Sequence, residues 1–357
     1  MNRAGRRLST CRERLTREGL PALLISNRSN LRYLTGFTGE GVAVVAEEAA
    51  VIITDGRYSL RAAQECPGLR IAVRQDSLNA ELCDVIGGLG LEALGFEADE
   101  LTVAALEDLR EKLEGVELIS TKGLVLTQRA KKDEDEIAKL RAATAISDRC
   151  YEQLKDDLAP GISERDLAYR VEGELRRLGA DKVAFDVIAA FGPHAADPHA
   201  EPGDRELRPG DLVKLDFGAR REGYNSDLTR TLVLGQPDAR QREIYRIVAA
   251  AQEQAAAAVA PGRTGQEVDA VARDVIAAAG FGDQFTHGLG HGVGLDVHEW
   301  PRLGKTSEDV LEPGMVVTVE PGIYIEDWGG VRIEDMVLVT EQGAEVLTQA
   351  PKYVPGT

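Results

Sequence analysis

Four carboxylates stand at the ends of apolar, strand-like runs in this chain: Asp216 in LVKLDF, Asp227 in SDLTRTLVL, Glu320 in VVTVE and Glu334 in VRIEDMVLV. Burying acids in such runs is costly unless positive charge meets them. Arg332 can neutralise only one of the four. A pair of divalent cations neutralises all of them, so a dinuclear metal centre accounts for the matched set better than salt bridges do. A single acid in a strand more often simply points to solvent. Histidine usage sharpens the case. All five histidines, His194, His199, His287, His291 and His298, fall between residues 194 and 298, and three lie in THGLGHGVGLDVHE. His287 and His291 form an H-x-x-x-H pair, yet the glycines at 288, 290, 292 and 294 oppose a zinc-peptidase helix. They favour a loop or strand edge that a substrate can approach closely. Carboxylates with one imidazole make a hard, oxygen-rich donor set. That chemistry suits manganese, with cobalt or zinc as alternatives, over copper or an iron–sulfur centre.

The elements that position these residues repeat. Ala159-Pro160-Gly161 returns as Ala260-Pro261-Gly262, each followed by a capping signal, Ser163 with Asp166 and Thr264 with Glu267. Each helix carries an apolar stripe (Leu167, Val171, Leu175 and Leu178; Val268, Val271, Val275 and Ile276). Each ends at a glycine, Gly179 or Gly280, suited to a left-handed C-terminal position. PHAEP then parallels VHEWP, LRPGDLVKLD parallels LEPGMVVTVE, and Asp227 parallels Glu334. Such an ordered run predicts two α+β halves related by a pseudo-two-fold, each delivering two carboxylates to the centre. In the first half, the strands bearing Asp216 and Asp227 are expected to pair antiparallel. In the second, 316–320 is expected to return through a turn at Trp328-Gly329-Gly330 and pair with 331–334.

Upstream, LPALLISN and EGVAVVAEEAAVIITDGRY read as strands, and 101–113 as an amphipathic helix, which together predict a smaller α/β domain. The polar segment 128–136 marks the boundary, giving domains at 1–129 and 130–357. Helical spacing of Ile137, Leu140, Ala143, Cys150 and Leu154, with acids at the start, opens the second.

Composition narrows the function. With 60 acidic against 42 basic residues, the formal charge is −18 over 357 residues, which disfavours nucleic acid as a partner. No run approaches the ~20 apolar residues of a membrane span. The basic N-terminus lacks the apolar core of a secretory signal. Four scattered cysteines, with no C-x-x-C, suit reduced thiols and a cytoplasmic setting.

Read together, LDFGA, SDLTRT, THGLGHGVGLDVHE, TVEPGIY and GGVRIED resemble the pita-bread metallopeptidases, and PHAEP with the amino-terminal domain resembles their proline-specific branch, aminopeptidase P and prolidase. The likeness covers about 130–357, with five ligand positions in order. SNLRYLTGFTGE and ITDGRYSLRA extend it more softly to a creatinase-like amino-terminal domain serving assembly or substrate access. The resemblance implies that Asp216 chelates one metal, that Asp227 and Glu334 bridge the two, and that His291 and Glu320 complete the other's shell. It implies a metal-bridging hydroxide as nucleophile and Glu320 as proton shuttle. His287 and His298 become the histidines that hold the substrate carbonyl and oxyanion, and His199 lines the proline pocket. Arg332 becomes an arginine that orients the acids from behind, and the assembly a homodimer. His194 matches no catalytic position and reads as a surface residue.

The activity expected is that of an Xaa-Pro aminopeptidase acting on short peptides with proline in second position. The alternative is an Xaa-Pro dipeptidase, which must bind the free proline carboxylate. Arg302 in VHEWPRLG is a candidate clamp for it because VHEWPR resembles short prolidases, although an arginine there can equally pack on the rim. Methionine aminopeptidase would leave the amino-terminal domain unexplained. A metal-free creatinase-type hydrolase or a non-catalytic binding module would have no need of the five ligands.

Overall fold

The computed structural model describes residues 3–353, and the chain divides into two compact units, Met1–Arg129 and Ala130–Thr357.

The first unit runs α1 (Arg3–Arg17), β1 (Ala22–Ile25), α2 (Arg28–Thr35), β2 (Gly41–Ala46), β3 (Ala50–Thr54), α3 (Ser59–Glu65), β4 (Arg70–Val73), α4 (Leu78–Leu89), β5 (Ala93–Glu97), α5 (Val103–Lys112), β6 (Glu117–Thr121) and α6 (Leu124–Ala130). Its six strands form one mixed sheet in the order β4-β3-β2-β1-β5-β6. Period-two alternation sends Leu24, Val44, Val51 and Ile53 to one face, where Leu82, Val85 and Ile86 of α4 and Leu109 of α5 cover them. The 101–113 helix is shorter than its pattern, because Thr102 caps it by accepting the Ala105 N–H.

The second unit opens with α7 (Glu134–Leu154), whose N-terminus is closed by a reciprocal capping box between Asp133 and Glu136. It continues α8 (Glu164–Arg177), β7 (Lys182–Val183), β8 (Ile188–Phe191), β9 (Leu212–Phe217), β10 (Ala219–Arg221), β11 (Tyr224–Asn225), β12 (Leu228–Val233), α9 (Ala239–Ala258) and α10 (Gly265–Ala278). The last stretch is all strand: β13 (Gly290–Gly292), β14 (Glu299–Leu303), β15 (Val316–Val319), β16 (Gly322–Ile325), β17 (Gly329–Arg332), β18 (Asp335–Thr340) and β19 (Gly343–Val346).

The internal repeat is visible atom by atom. Gly161 N–H donates to Leu207 O as Gly262 N–H does to Leu311 O, and Glu164 N–H donates to Arg205 O as Gly265 N–H does to Asp309 O. Isolated bridges join Ser163 to Glu206 and Thr264 to Val310. Helices α7 and α8 pack Cys150, Leu167, Val171 and Leu175 against Val213, Leu215 and Phe217 of β9. In the other half α9 and α10 pack Ile244, Val248, Val268 and Ile276 against Val317 and Val319 of β15. Each such buried aliphatic side chain contributes roughly 1.5–3 kcal/mol. With the odd positions of β9 turned to helix, Lys214 and Asp216 are turned the opposite way.

The strand pairing differs from expectation in the second half. β15 pairs not with 331–334 but with β18, Val319 opposite Asp335. The segment between folds as its own hairpin, β16 with β17. The first half has the same plan, with the β10–β11 hairpin between β9 and β12. The carboxylates therefore sit where a long strand meets a hairpin: Asp227 just before β12, Glu320 just after β15, and Glu334 between β17 and β18. In the first half Asp216 pairs with Thr229 rather than with Asp227.

Candidate metal centre

Strand ends supply acids here because the local backbone leaves them no other direction. Glu320 N–H donates to Leu289 O and Glu334 N–H to Thr229 O, which fixes both carboxylates against neighbouring strands. β13 is a short strand held between β14 and β15, so it is neither the helix that the glycines around His291 oppose nor the sheet edge expected of them. A Cβ on Gly290 would run into Thr318 O, and one on Gly292 into Trp300 O.

Side-chain oxygens of Asp227 and Glu334 and a ring nitrogen of His291 lie within 4.8 Å of one another. His291 Nε2 is 3.7 Å from Asp227 Oδ2 and 3.3 Å from Glu320 Oε1. Thr318 Oγ1 accepts from His291 N–H at 3.0 Å and donates to Glu320 Oε1 at 3.1 Å, locking those two together. Thr229 Oγ1 donates to Glu334 Oε2 at 2.8 Å. Asp216 joins from the Arg332 side, its Oδ2 accepting from Nη2 at 2.5 Å. Its Oδ1 is buried with no hydrogen-bond partner among the described residues.

The electrostatics are those of a cation site. Burial, reinforced by Asp216 and Glu320, holds Asp227 well above the usual carboxylate range. Burial and the neighbouring Asp227 do the same to Glu334. Asp216 is also raised by burial, against the pull of Arg332. Burial opposes charge on the fourth acid too, but hydrogen bonding and charge from His291 carry Glu320 down to about 2. His291, buried as well, is lifted to about 9 by Glu320 and Asp227. Three acids that resist ionisation, with one orphaned oxygen, fit a divalent metal centre.

The expected substrate-side residues surround this cluster. The His298 ring stands edge-on to His291, centroids 4.4 Å apart, and its imidazole is exposed. His199 is exposed and lies near enough to both His287 and His298 to influence them electrostatically. His287 is placed otherwise than expected of an oxyanion donor, since both its ring nitrogens are engaged, Nδ1 with Gly288 O at 2.7 Å and Nε2 with Tyr324 Oη at 2.9 Å. Arg332 Nη1 donates to the same Tyr324 Oη at 2.8 Å, so the phenolic proton is directed at His287 Nε2. Burial lowers the His287 pKa, consistent with this neutral tautomer.

Arg332 also donates from Nε to Thr229 Oγ1 at 3.0 Å and from Nη1 to Pro198 O at 3.1 Å. Arg302 lies directly across the β13–β14 ladder from His291, which puts the two side chains on one face. Its backbone binds Asp309 and Ser307, while its guanidinium is exposed and has no partner among the described residues. His194 is not a bare surface residue, because its Nδ1 meets the buried Glu164 carboxylate at 2.8 Å.

Sequence reasoning missed Tyr324, Thr229, Thr318 and Lys214. The signal for Lys214 was present as a lysine inside an apolar strand, two residues from Asp216 and so on its face. A further clamp sits on α10, where Asp269 pairs with Arg273 at 2.8 Å and accepts the Leu289 N–H. Arg273 in turn donates to Phe285 O and His287 O. No helix among the described residues is long and apolar enough to cross a membrane.

Comparison with known proteins gives the family. The profile of metallopeptidase family M24 matches residues 138–341, and that of the creatinase/prolidase N-terminal domain matches residues 7–131. An Xaa-Pro dipeptidase of Pyrococcus horikoshii is 37% identical over 95% of this chain and 96% of its own. The structure of an Xaa-Pro dipeptidase from Bacillus anthracis superposes with a TM-score of 0.96 at 40% identity, covering 98% of this chain and 99% of that one. An X-Pro aminopeptidase from Thermotoga maritima superposes at 0.88 with 34% identity, over 94% and 97%.

Proposed function

From the premise that this chain belongs to metallopeptidase family M24, with a creatinase-like amino-terminal domain and the pita-bread fold, we propose that it is an Xaa-Pro dipeptidase. This replaces the aminopeptidase as the preferred reading. The observation that carries it is the unpaired Arg302 guanidinium on the same sheet face as His291. A dipeptide ends in a carboxylate one residue beyond the scissile bond, and a free planar guanidinium is suited to grip it bidentately. The names of the Pyrococcus horikoshii and Bacillus anthracis relatives, at 37% and 40% identity, point the same way.

Asp216, Asp227, His291, Glu320 and Glu334 would hold two divalent ions, with manganese the best match to their hard oxygen donors. When bound, such ions polarise a carbonyl and bring the pKa of a coordinated water close to neutrality. The remaining work falls to the chain. His298, exposed beside His291, donates to the substrate carbonyl. Glu320, anchored at Oε1 by Thr318, keeps Oε2 to carry a proton to the departing proline nitrogen. His199 walls the proline ring. His287 holds its place through Tyr324 and Arg332, and Arg332 keeps Asp216 turned inward.

An Xaa-Pro bond is a tertiary amide without an N–H, so peptidases that bind through that donor cannot use it. Recognition through the carbonyl and the terminal carboxylate avoids the requirement. The aminopeptidase stays as the second reading because of the Thermotoga maritima structure. Parallel assays of Xaa-Pro and Xaa-Pro-Xaa peptides with manganese, cobalt and zinc separate the two. Turnover of dipeptides alone supports the proposal, and comparable turnover of tripeptides overturns it.

A further inference from the structure

The segment at residues 191–203, which carries His199, has no regular structure beyond the last residue of β8 and a short 3-10 turn at Gly192–Ala196. Buried polar side chains hold it all the same. Lys214 is fully buried, and its Nζ donates to Ala195 O at 3.2 Å and to Asp197 O. Glu164, equally buried at the start of α8, accepts from Phe191 N–H at 2.8 Å, from Gly203 N–H at 3.1 Å and meets His194 Nδ1 at 2.8 Å. One carboxylate thus ties both ends of the segment and one lysine amine ties its middle. Asp197 Oδ1 then accepts from His199 N–H at 2.9 Å, fixing the residue whose side chain has no bond of its own.

A buried amine is expensive unless it is hydrogen-bonded. Lysine sits in β9 among Val213 and Leu215, where an apolar residue would complete the strand at no such cost. Its Nζ lies 5.3 Å from the Tyr324 ring centroid, but its hydrogen bonds both go to carbonyls in one turn, so what they add is a fixed backbone at 195–197. Glu164 and His194 acquire a common purpose on the same account, as the outer ties of the same segment.

We infer that Lys214 and Glu164 are positioning residues for the substrate: they template residues 191–203 and thereby set where His199 meets the proline ring. The inference rests on the Xaa-Pro reading for its substrate, and on the hydrogen bonds above for its geometry. Neither residue is assigned contact with the peptide.

The test is Lys214→Met, which keeps length and packing but removes the donor. KM for Xaa-Pro dipeptides rises about tenfold while kcat changes by less than about threefold. Manganese content stays that of the wild type. Amide hydrogen exchange at residues 194–200 accelerates while β9 and β12 stay protected. In a His199→Ala background the same substitution shifts KM by less than about twofold, because the residue being positioned is gone. A wild-type KM and exchange pattern in Lys214→Met overturns the inference, and so does a full tenfold effect in the His199→Ala background.

Asp197→Ala is the second variant, at an exposed position that leaves the core untouched. It raises KM in the same direction, and a wild-type KM there overturns the inference even if Lys214→Met does not fold. If the wild-type enzyme hydrolyses no Xaa-Pro dipeptide at all, the functional reading fails on its own. The exchange measurement then still decides whether the segment is anchored as described.

Discussion

Arg332 Nη2 lies 2.5 Å from Asp216 Oδ2, and the other oxygen of that carboxylate is buried without a hydrogen-bond partner among the described residues. One guanidinium therefore satisfies half of an acid and leaves the other half open to a further ligand. The same guanidinium reaches Thr229 Oγ1, Tyr324 Oη and Pro198 O. Only a planar fork with five donors serves so many directions. Arg332→Lys is expected to keep the charge and lose the geometry, lowering activity and manganese affinity by about 10- to 100-fold. Steady-state kinetics and metal titration check this, and unchanged values in both would refute it.

Metal-free protein should be more stable at pH 5 than at pH 8. Asp227 and Glu334 resist ionisation when folded, yet ionise at ordinary values in the unfolded chain. The folded state therefore holds more protons above the ordinary carboxylate range, and stability falls as pH rises. His291, raised to about 9, acts in the same direction, its contribution fading as pH rises from 6.5 through 9. Glu320, lowered to about 2, opposes this only below the usual carboxylate range, and Lys214, lowered to about 6 by burial, opposes it above pH 6 without outweighing two acids and His291. Thermal melts of chelator-treated protein should show the trend, with manganese reversing it at pH 8. A melting temperature that rises from pH 5 to pH 8 without metal contradicts it.

Asp227→Asn removes one of those crowded charges while keeping its volume. The metal-free melting temperature should rise by a few degrees, roughly 2–4 °C for each kcal/mol of relieved repulsion. Activity should fall by at least about a thousandfold, and the stabilisation by added manganese should shrink. Retained activity would remove the cluster from the mechanism.

For Arg302→Ala, KM for Xaa-Pro dipeptides is expected to rise by about 10- to 100-fold, the value of a charge-assisted carboxylate contact. Dipeptide amides, which lack that carboxylate, should be hydrolysed equally by variant and wild type. A dipeptide KM unmoved by the substitution would assign Arg302 to the rim.

Lys132 and Glu299 form a buried pair at 3.3 Å, each side chain 1% exposed. Glu299 directly follows His298 and also accepts the Asp296 N–H. Lys132→Met alone should cost about 3–5 kcal/mol, since it removes the cationic partner of a buried carboxylate. Adding Glu299→Gln should recover part of that loss. Chemical denaturation measures both, and a near-neutral single substitution would show the pair to be dispensable.

The site was legible wherever chemistry forces residue type. Acids at the ends of apolar strands, glycines that let β13 touch Thr318 and Trp300, and the repeated Pro-Gly and capping signals are all local consequences of geometry. The β16–β17 hairpin was not legible, because its apolar, glycine-bounded run reads equally as a continuation of the neighbouring strand. Tyr324 escaped for a related reason. It reaches His287 across 37 residues of sequence through a hairpin whose register no local pattern sets. His194 looked like a surface residue because its partner, Glu164, looked like one more acid in the first turn of a helix.

The central claim is that Asp216, Asp227, His291, Glu320 and Glu334 cage two cations, and the most direct measurement is anomalous scattering from a crystal soaked in manganese. The account predicts two peaks among those five side chains, one of them bordered by Asp216. A single peak on Asp227, His291 and Glu334 would contradict the dinuclear centre, and no peak among the five would contradict the account altogether.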